Sequence, residues 1–256
     1  MDFLRATLEW AGKTLSVDLA CPVDLSLPLK DERVSDGPSA WYVGRPRFEP
    51  VRGKGFVGRV SEGGPVNFTN VNFNPHGHGT HTECLGHITP EAHSVDEQIR
   101  NNTSIPWLMP CLVHSVTPLS TEGNSIISKE SLPEMKGLPP AIVLRTMPNP
   151  ESKKITKWDN SNPPYLHPDF ASELVKRGVE HLLIDLPSVD KEVDGGALLS
   201  HKMFFGVPDA PRLNATITEF VYTPNSSPDG LYALSLQVAP FDLDAAPSRP
   251  VLFPLK

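Results

Sequence analysis

Cysteine is scarce in this 256-residue chain. Cys21, Cys84 and Cys111 are odd in number and far apart, with no CxxC or zinc-ribbon spacing, so a disulfide framework is excluded and free thiols in a reducing compartment are expected. Long apolar runs are missing as well. Met1-Asp2-Phe3-Leu4-Arg5 carries an early acid where a secretory segment would be apolar, so cytoplasmic residence without a membrane partner is expected. Basic residues are outnumbered, 23 against 30, giving a net charge of −7 and no basic stripe. The short run Lys153, Lys154, Lys157 reads as a solvated loop, and nucleic acid is not an expected partner. The absence of a GxSxG elbow, a Walker loop and a Rossmann glycine fingerprint removes the usual serine-hydrolase and nucleotide-cofactor readings.

Proline, by contrast, is plentiful. Its 28 residues are dispersed, as in Pro106, Pro110, Pro139-Pro140 and Pro163-Pro164, and so punctuate long ordered loops around short strands. Runs rich in Val, Ile and Leu predict strands over 15–19, 65–69, 111–116, 141–145, 181–185, 216–222 and 231–238. A helix is predicted from Pro168 to Arg177, with proline placed to open it, Lys176 and Arg177 suited to its last carbonyls, and Gly178 able to close it. Strand 141–145, this helix and strand 181–185 make a βαβ crossover with parallel strands, while the later strands alternate as antiparallel ones do. The expected fold is α/β, a mixed β-sheet core with few helices and long Pro-rich loops, in one domain spanning residues 1–256.

Histidine is concentrated. His76, His78, His81, His87 and His93, five of nine, lie within eighteen residues and among glycines that let the backbone bend around an ion. In an extended chain, residues two apart share a face, so Gly79, His81 and Glu83 point one way and Thr80, Thr82 and Cys84 the other. His81 and Glu83 can converge on one divalent ion, and His87 can curl back past Gly86. A histidine beside the ion but unligated suits general acid–base work, because imidazole titrates near neutral pH. The bland alternative is a hydrogen-bonded buried cluster. Cys84 turns away from the His81 face and reads as a buried thiol. His93, His114, His167 and His181 read as structural. Asp185, Ser188 and Asp190 either support the site or cap a turn, and Trp41, Tyr42, Phe48 and Phe73 either line a pocket or fill the core.

Gly79-Thr80-His81-Thr82-Glu83-Cys84-Leu85-Gly86-His87 resembles the His-x-Gly-Thr-His-x-Asp-x-Pro-x-His signature of the cyclase-like metal hydrolases, which include bacterial kynurenine formamidase and isatin hydrolase. Asp24-Leu25-Ser26-Leu27-Pro28-Leu29 is similar to that family's opening strand, and Leu183-Ile184-Asp185-Leu186-Pro187-Ser188-Val189-Asp190 to its DTPSID-type segment. The stretch from His201 to Glu219, and the tail from Ala233 through Asp242, Asp244 and Pro247-Ser248-Arg249-Pro250, are similar to its closing regions.

The resemblance implies a swivelling β/β/α-like fold and a homodimer or homotetramer with its pocket near a subunit boundary. It implies a small-molecule amide, lactam or related carbonyl substrate, hydrolysed at carbon–nitrogen bonds other than peptide bonds. His81, Glu83, His201 and Glu219 would hold Zn²⁺ or Mn²⁺, one or two ions per subunit, with His87 as the proton shuttle and Thr80 as a structural neighbour. Three departures stand out. The signature's first histidine falls on Gly77, and a one-residue slip eased by Gly77 and Gly79 would bring in either His76, the preferred ligand, or His78. Glu83 replaces aspartate and Leu85 replaces proline. They leave two other readings open, a metal-assisted lyase or cyclase and a degenerate scaffold that binds a small molecule without catalysis.

Overall fold

The computed structural model describes residues 4–31, 33–34, 36–101, 107–135 and 137–255; Met1, Asp2, Phe3 and Pro106 lie outside them. Its centre is a closed sheet of seven strands, in the order Gly230–Val238, Met109–Val116, Ala141–Thr146, His181–Ile184, Thr216–Glu219, His81–Glu83 and Ala245–Pro254, the last pairing back with the first. Val23–Asp24 adds an eighth strand on the outer edge of Ala245–Pro254. The four strands from Met109–Val116 to Thr216–Glu219 run parallel, and the other pairs are antiparallel.

The expected crossover is present: Ala141–Thr146 and His181–Ile184 are parallel neighbours joined through the helix Pro168–Lys176. That helix opens on Pro168, with the His167 side chain accepting the Asp169 amide at 3.2 Å. It closes one residue short of Arg177, before Gly178 at φ +87°. Period two explains why Ala141–Thr146 is buried throughout. Ile142 and Leu144 pack with Phe170, Leu174, Phe204 and Phe205 on the helix side, while Ala141 and Val143 pack with Met109, Cys111, Leu183 and Leu234 on the other. Each large side chain so buried contributes about 1.5–3 kcal/mol.

Three predicted strands are corrected. Residues 65–68 are not strand, because the Asn67 side chain accepts the Val60 amide and makes this stretch part of a turn; pairing begins at Thr69, where Thr69–Asn72 meets Arg47–Pro50. Strand 216–222 stops at Glu219, since Phe220 adopts a left-handed φ of 55°. Strand 15–19 is instead Lys13–Asp18, paired with Arg5–Trp10 across Ala11 and Gly12, both at positive φ as a tight hairpin requires. Ala245–Pro254 was not foreseen as a strand, because Pro247, Pro250 and Pro254 argue against one. Proline lacks a donor but keeps its acceptor, and here Pro247 accepts the Ala239 amide and Pro250 the Leu25 amide. Lys153, read as solvated, is largely buried and paired with Asp185.

His181 is fully buried, its Nδ1 bonded to Thr216 Oγ1 at 2.9 Å. Burial, helped by Arg212, pushes its pKa down to about 4. The fold therefore prefers neutral imidazole, and the resulting stability is complete above the ordinary pKa of 6.5 and lost as pH falls toward 4. Urea unfolding of wild type and His181→Asn at pH 7 and 4.5 should show the wild type losing about 2–3 kcal/mol relative to the variant. Parallel pH–stability curves would remove His181 as the cause.

Candidate metal centre

The strand His81–Glu83 carries two of the candidate side chains, and its neighbours bring up the rest. Glu219 is the direct register partner of His81. His201 stands on the helix Leu199–Phe205, and Asp244 immediately precedes the strand Ala245–Pro254, whose Pro247 also pairs with His81. Gly79 takes φ +74°, and Thr80 fixes the turn by donating to Phe220 O at 2.6 Å while accepting the Leu27 amide at 2.7 Å. The alternation then runs as period two requires. His81 and Glu83 face the cluster, whereas Thr82 meets Thr218 at 2.8 Å and Cys84 packs with Val95 and Ala246. Burial raises the Cys84 thiol to about 11, which removes a nucleophile reading.

Gly77 and Asn74 shape the turn that turns His76 toward the cluster and His78 away from it. A Cβ at Gly77 would lie 2.3 Å from Val43 Cγ2 and 3.1 Å from Ala40 O, so no side chain occupies that position without displacing its neighbours. His78 is turned into the backbone, its Nδ1 accepting the Asn74 amide at 2.8 Å and its Nε2 on Gly44 O. His76 reaches the cluster, with Nδ1 3.2 Å from Glu83 Oε2 and Nε2 2.8 Å from Asp244 Oδ2.

His201 Nε2 lies 2.9 Å from Glu83 Oε1 and 3.9 Å from Glu219 Oε1; His81 Nε2 lies 3.4 Å from Glu219 Oε2. His87 sits at the rim, its Nε2 3.7 Å from Glu83 Oε2 and its Nδ1 3.2 Å from Asp244 Oδ2. Asp190, open to two readings in the sequence, binds His201 Nδ1 at 2.7 Å and also caps its helix by accepting the Ser200 and His201 amides. Asp185 lies apart, on Thr146 and Lys153. The other histidines are elsewhere: His93 in a separate pocket with Leu85 and Ile88, His114 on Ser131 O, His167 at a helix start, and His181 in the core.

The cluster fits a divalent cation on three counts. First, His81 Nε2 and Glu83 Oε2 are buried with no hydrogen-bond partner among the described residues, a costly arrangement for polar atoms that coordination would resolve. Second, ligand atoms of His76, His81 and Glu83 lie within 4.8 Å of one another, as do those of Glu83, His87 and His201. Third, the second ring nitrogens of His81 and His201 are held from outside, by Gly79 O and Asp190, which turns the Nε2 atoms inward.

The acids favour positive charge in their midst. Burial opposes ionisation of Glu83, yet His87 and His201 hold it well below the usual carboxylate range. Burial alone would lower His76, but Asp244 and Glu83 raise it to about 10. His201 is raised for the same reason, burial being outweighed by Glu83 and Asp190. A divalent ion would compete with those protons for the same carboxylates and imidazoles.

The cluster opens into a cavity of about 290 Å³ lined by Trp41, Asn74, His76, His87, His201 and Glu219, among others. Of the four aromatics considered from sequence, Trp41 lines it. Tyr42 bonds Glu192 at 2.8 Å, Phe73 packs on Phe241, and Phe48 lies in the strand Arg47–Pro50. Asp244 was noted in the sequence only as part of the closing segment. Its place beside His76 and His87 depends on a strand that its prolines disguise.

The fold has solved counterparts. An isatin hydrolase bound to the product analogue thioisatinate shares 12% identity at a TM-score of 0.64, over 92% of each chain. A structure from Bacillus stearothermophilus, described as a predicted metal-dependent hydrolase, shares 17% identity at 0.60 over 91% of this chain and 98% of its own. Isatin hydrolase A from Ralstonia solanacearum shares 13% identity at 0.58, over 91% of each chain. Among curated proteins no sequence relative matches the chain. Among the described residues no helix is long and apolar enough to cross a membrane. A family described as "Putative cyclase" matches residues 23–191, well over half the sequence, and the chain belongs to that cyclase family.

Proposed function

We propose that this protein is a metal-dependent hydrolase of a small amide, lactam or related carbonyl substrate. The observation that carries the reading is the convergence of half-buried His76 with buried His81 and Glu83, their ligand atoms within 4.8 Å of one another and His81 Nε2 and Glu83 Oε2 lacking hydrogen-bond partners among the described residues, beside a cavity lined by His76 and His87. His76, His81 and Glu83 would hold a zinc or manganese ion, and Glu83, His201 and Glu219 would hold a second where two are bound. When bound, such an ion supplies Lewis-acid polarisation of the substrate carbonyl and a water of lowered pKa.

The chain's own residues do the rest. His87 takes the proton from the attacking water and returns it to the leaving nitrogen as the carbon–nitrogen bond breaks, giving a carboxylate and an amine. His201, oriented by Asp190, and His81, oriented by Gly79 O, keep their Nε2 atoms on the cluster. Trp41 offers a flat apolar wall to the substrate. That solved structures with this fold include isatin hydrolases supports isatin as a first substrate to try. Assembly as a homodimer or homotetramer in the cytoplasm is part of the same proposal.

Protein purified without a histidine tag should carry about one or two equivalents of zinc or manganese by elemental mass spectrometry, the range a site of this kind holds. Incubated with isatin and formanilide in ¹⁸O-water, it should place labelled oxygen in the acid product. Turnover without label would favour the lyase or cyclase reading. A protein that neither carries nor takes up metal would overturn the proposal in favour of a non-catalytic scaffold.

A further inference from the structure

Asp244 stands outside the ligand set proposed above, yet one of its oxygens serves two histidines of that set's neighbourhood. Oδ2 is 2.8 Å from His76 Nε2 and 3.2 Å from His87 Nδ1, and the two imidazoles stack with centroids 4.2 Å apart at 30°. Both histidines thereby have their far nitrogens fixed. His76 is left with Nδ1 toward Glu83, and His87 with Nε2 toward Glu83 and the cavity. The main chain around Asp244 is itself pinned, because Asp244 O accepts the Cys84 amide at 2.9 Å and Leu243 O accepts the Val95 amide at 2.8 Å. The carboxylate is therefore presented from a fixed backbone, tied to the very strand that bears His81 and Glu83.

We infer that Asp244 is a shared positioning residue: a single carboxylate that sets the tautomer and orientation of both a metal ligand, His76, and the proton-carrying His87. This rests on the hydrolase reading and deepens it. Accepting N–H from His76 Nε2 places the lone pair on Nδ1, the nitrogen that faces Glu83, and so raises its basicity as a ligand. Accepting N–H from His87 Nδ1 likewise leaves the His87 Nε2 lone pair free to receive a proton at the cavity wall. Asp190 provides an internal comparison, since it makes the equivalent contact to His201 Nδ1 and spends its oxygens on that ring and on the Ser200 and His201 amides. Both carboxylates should govern metal affinity, and Asp244 alone should also govern the chemical step.

The test compares Asp244→Asn and Asp190→Asn by two separate measurements. Zinc affinity of the purified proteins, read by competition with a chromophoric chelator, needs no turnover; each variant should bind about 10–100-fold more weakly than wild type. Steady-state kinetics on isatin at saturating zinc should then show a smaller loss of kcat in Asp190→Asn than in Asp244→Asn. Asp244→Asn should keep a kcat at least about tenfold down with little change in KM, as loss of an aligned proton carrier predicts. Asp244→Glu, which keeps the acceptor, should recover part of both losses. Unchanged zinc affinity in Asp244→Asn overturns the ligand half of the inference, and full kcat at saturating zinc overturns the His87 half. If Asp244→Asn does not fold, Asp244→Ser and Asp244→Glu carry the same comparison, and equal defects in both would reduce the residue to a structural role. Wild type that binds zinc but turns over no substrate would count against the hydrolase reading alone, leaving the affinity comparison to decide the ligand half.

Discussion

His81→Ala should weaken binding of the ion it would share with His76 and Glu83, and lower turnover, by about 10²–10³-fold, whereas His78→Ala, three residues earlier, should leave metal content unchanged. His81 is fully buried, and its Nε2 has no hydrogen-bond partner among the described residues. Glu219 Oε2 lies 3.4 Å from it, an ion-pair contact and not a hydrogen bond. Removing the ring therefore deletes a ligand and breaks no hydrogen bond to Glu219. A four-ligand zinc site is worth about 10–16 kcal/mol, so one ligand's share is about 3 kcal/mol, or about 10²–10³ in affinity. A comparable loss is expected in kcat/KM on isatin, because polarisation of the carbonyl goes with the ion. His78, by contrast, spends both nitrogens on Asn74 N and Gly44 O, and its loss should lower stability by about 1–3 kcal/mol without touching stoichiometry. Elemental mass spectrometry after dialysis and urea unfolding separate the two outcomes. Metal and activity both retained in His81→Ala would refute the assignment and leave a hydrogen-bonded cluster in its place.

That contrast marks where the sequence could be read and where it could not. Two-residue alternation needs only an extended backbone, so the shared face of His81 and Glu83, with Cys84 opposite, was legible directly. So was the crossover around Pro168–Lys176, because proline at its start, glycine after its end and the flanking aliphatic runs all agree. Between His76 and His78 the sequence preferred His76 on bulge geometry alone, because which ring faces the cluster depends on Val43 and Ala40 crowding Gly77 and on the turn that Asn74 builds by accepting the Gly77 amide. Asp244 was harder still. It reaches His87 across 157 positions, carried by a strand whose three prolines mimic loop composition. The end of the strand at Glu219 turned on one residue, Phe220, whose positive φ no aromatic advertises. Local pattern reports which way a side chain points, while the choice among neighbours is made by packing from distant segments.

Lys153→Met is expected to cost about 3–5 kcal/mol of stability, far more than a solvated lysine would. Lys153 Nζ donates to Asp185 Oδ2 at 2.8 Å and to Thr146 O and Oγ1 at 2.6 Å each, and its side chain is 11% exposed against 0% for Asp185. Asp185 also accepts the Thr146 amide and hydroxyl, so the three residues staple the end of strand Ala141–Thr146 to the segment that leads on to Asp190. Burial raises the Asp185 carboxyl above its ordinary range even with Lys153 beside it. Without the ammonium, a buried carboxylate stands unpaired. The sign with pH follows from that direction. A carboxyl whose folded pKa is raised penalises the fold at pH values where it is ionised, and protonation relieves the penalty. The deficit of Lys153→Met, measured by urea unfolding, should therefore be largest near neutrality and shrink as pH falls through the further-raised pKa that Asp185 has without Lys153. Adding Asp185→Asn should recover much of the loss at pH 7, since the charge is then gone while the amide oxygen still accepts from Thr146. A deficit below about 1 kcal/mol that ignores pH would mean the pair behaves as a surface ion pair. A full-sized, pH-dependent deficit would place this staple beneath the loop that orients His201, and so tie the stability of the fold to the geometry of the metal centre.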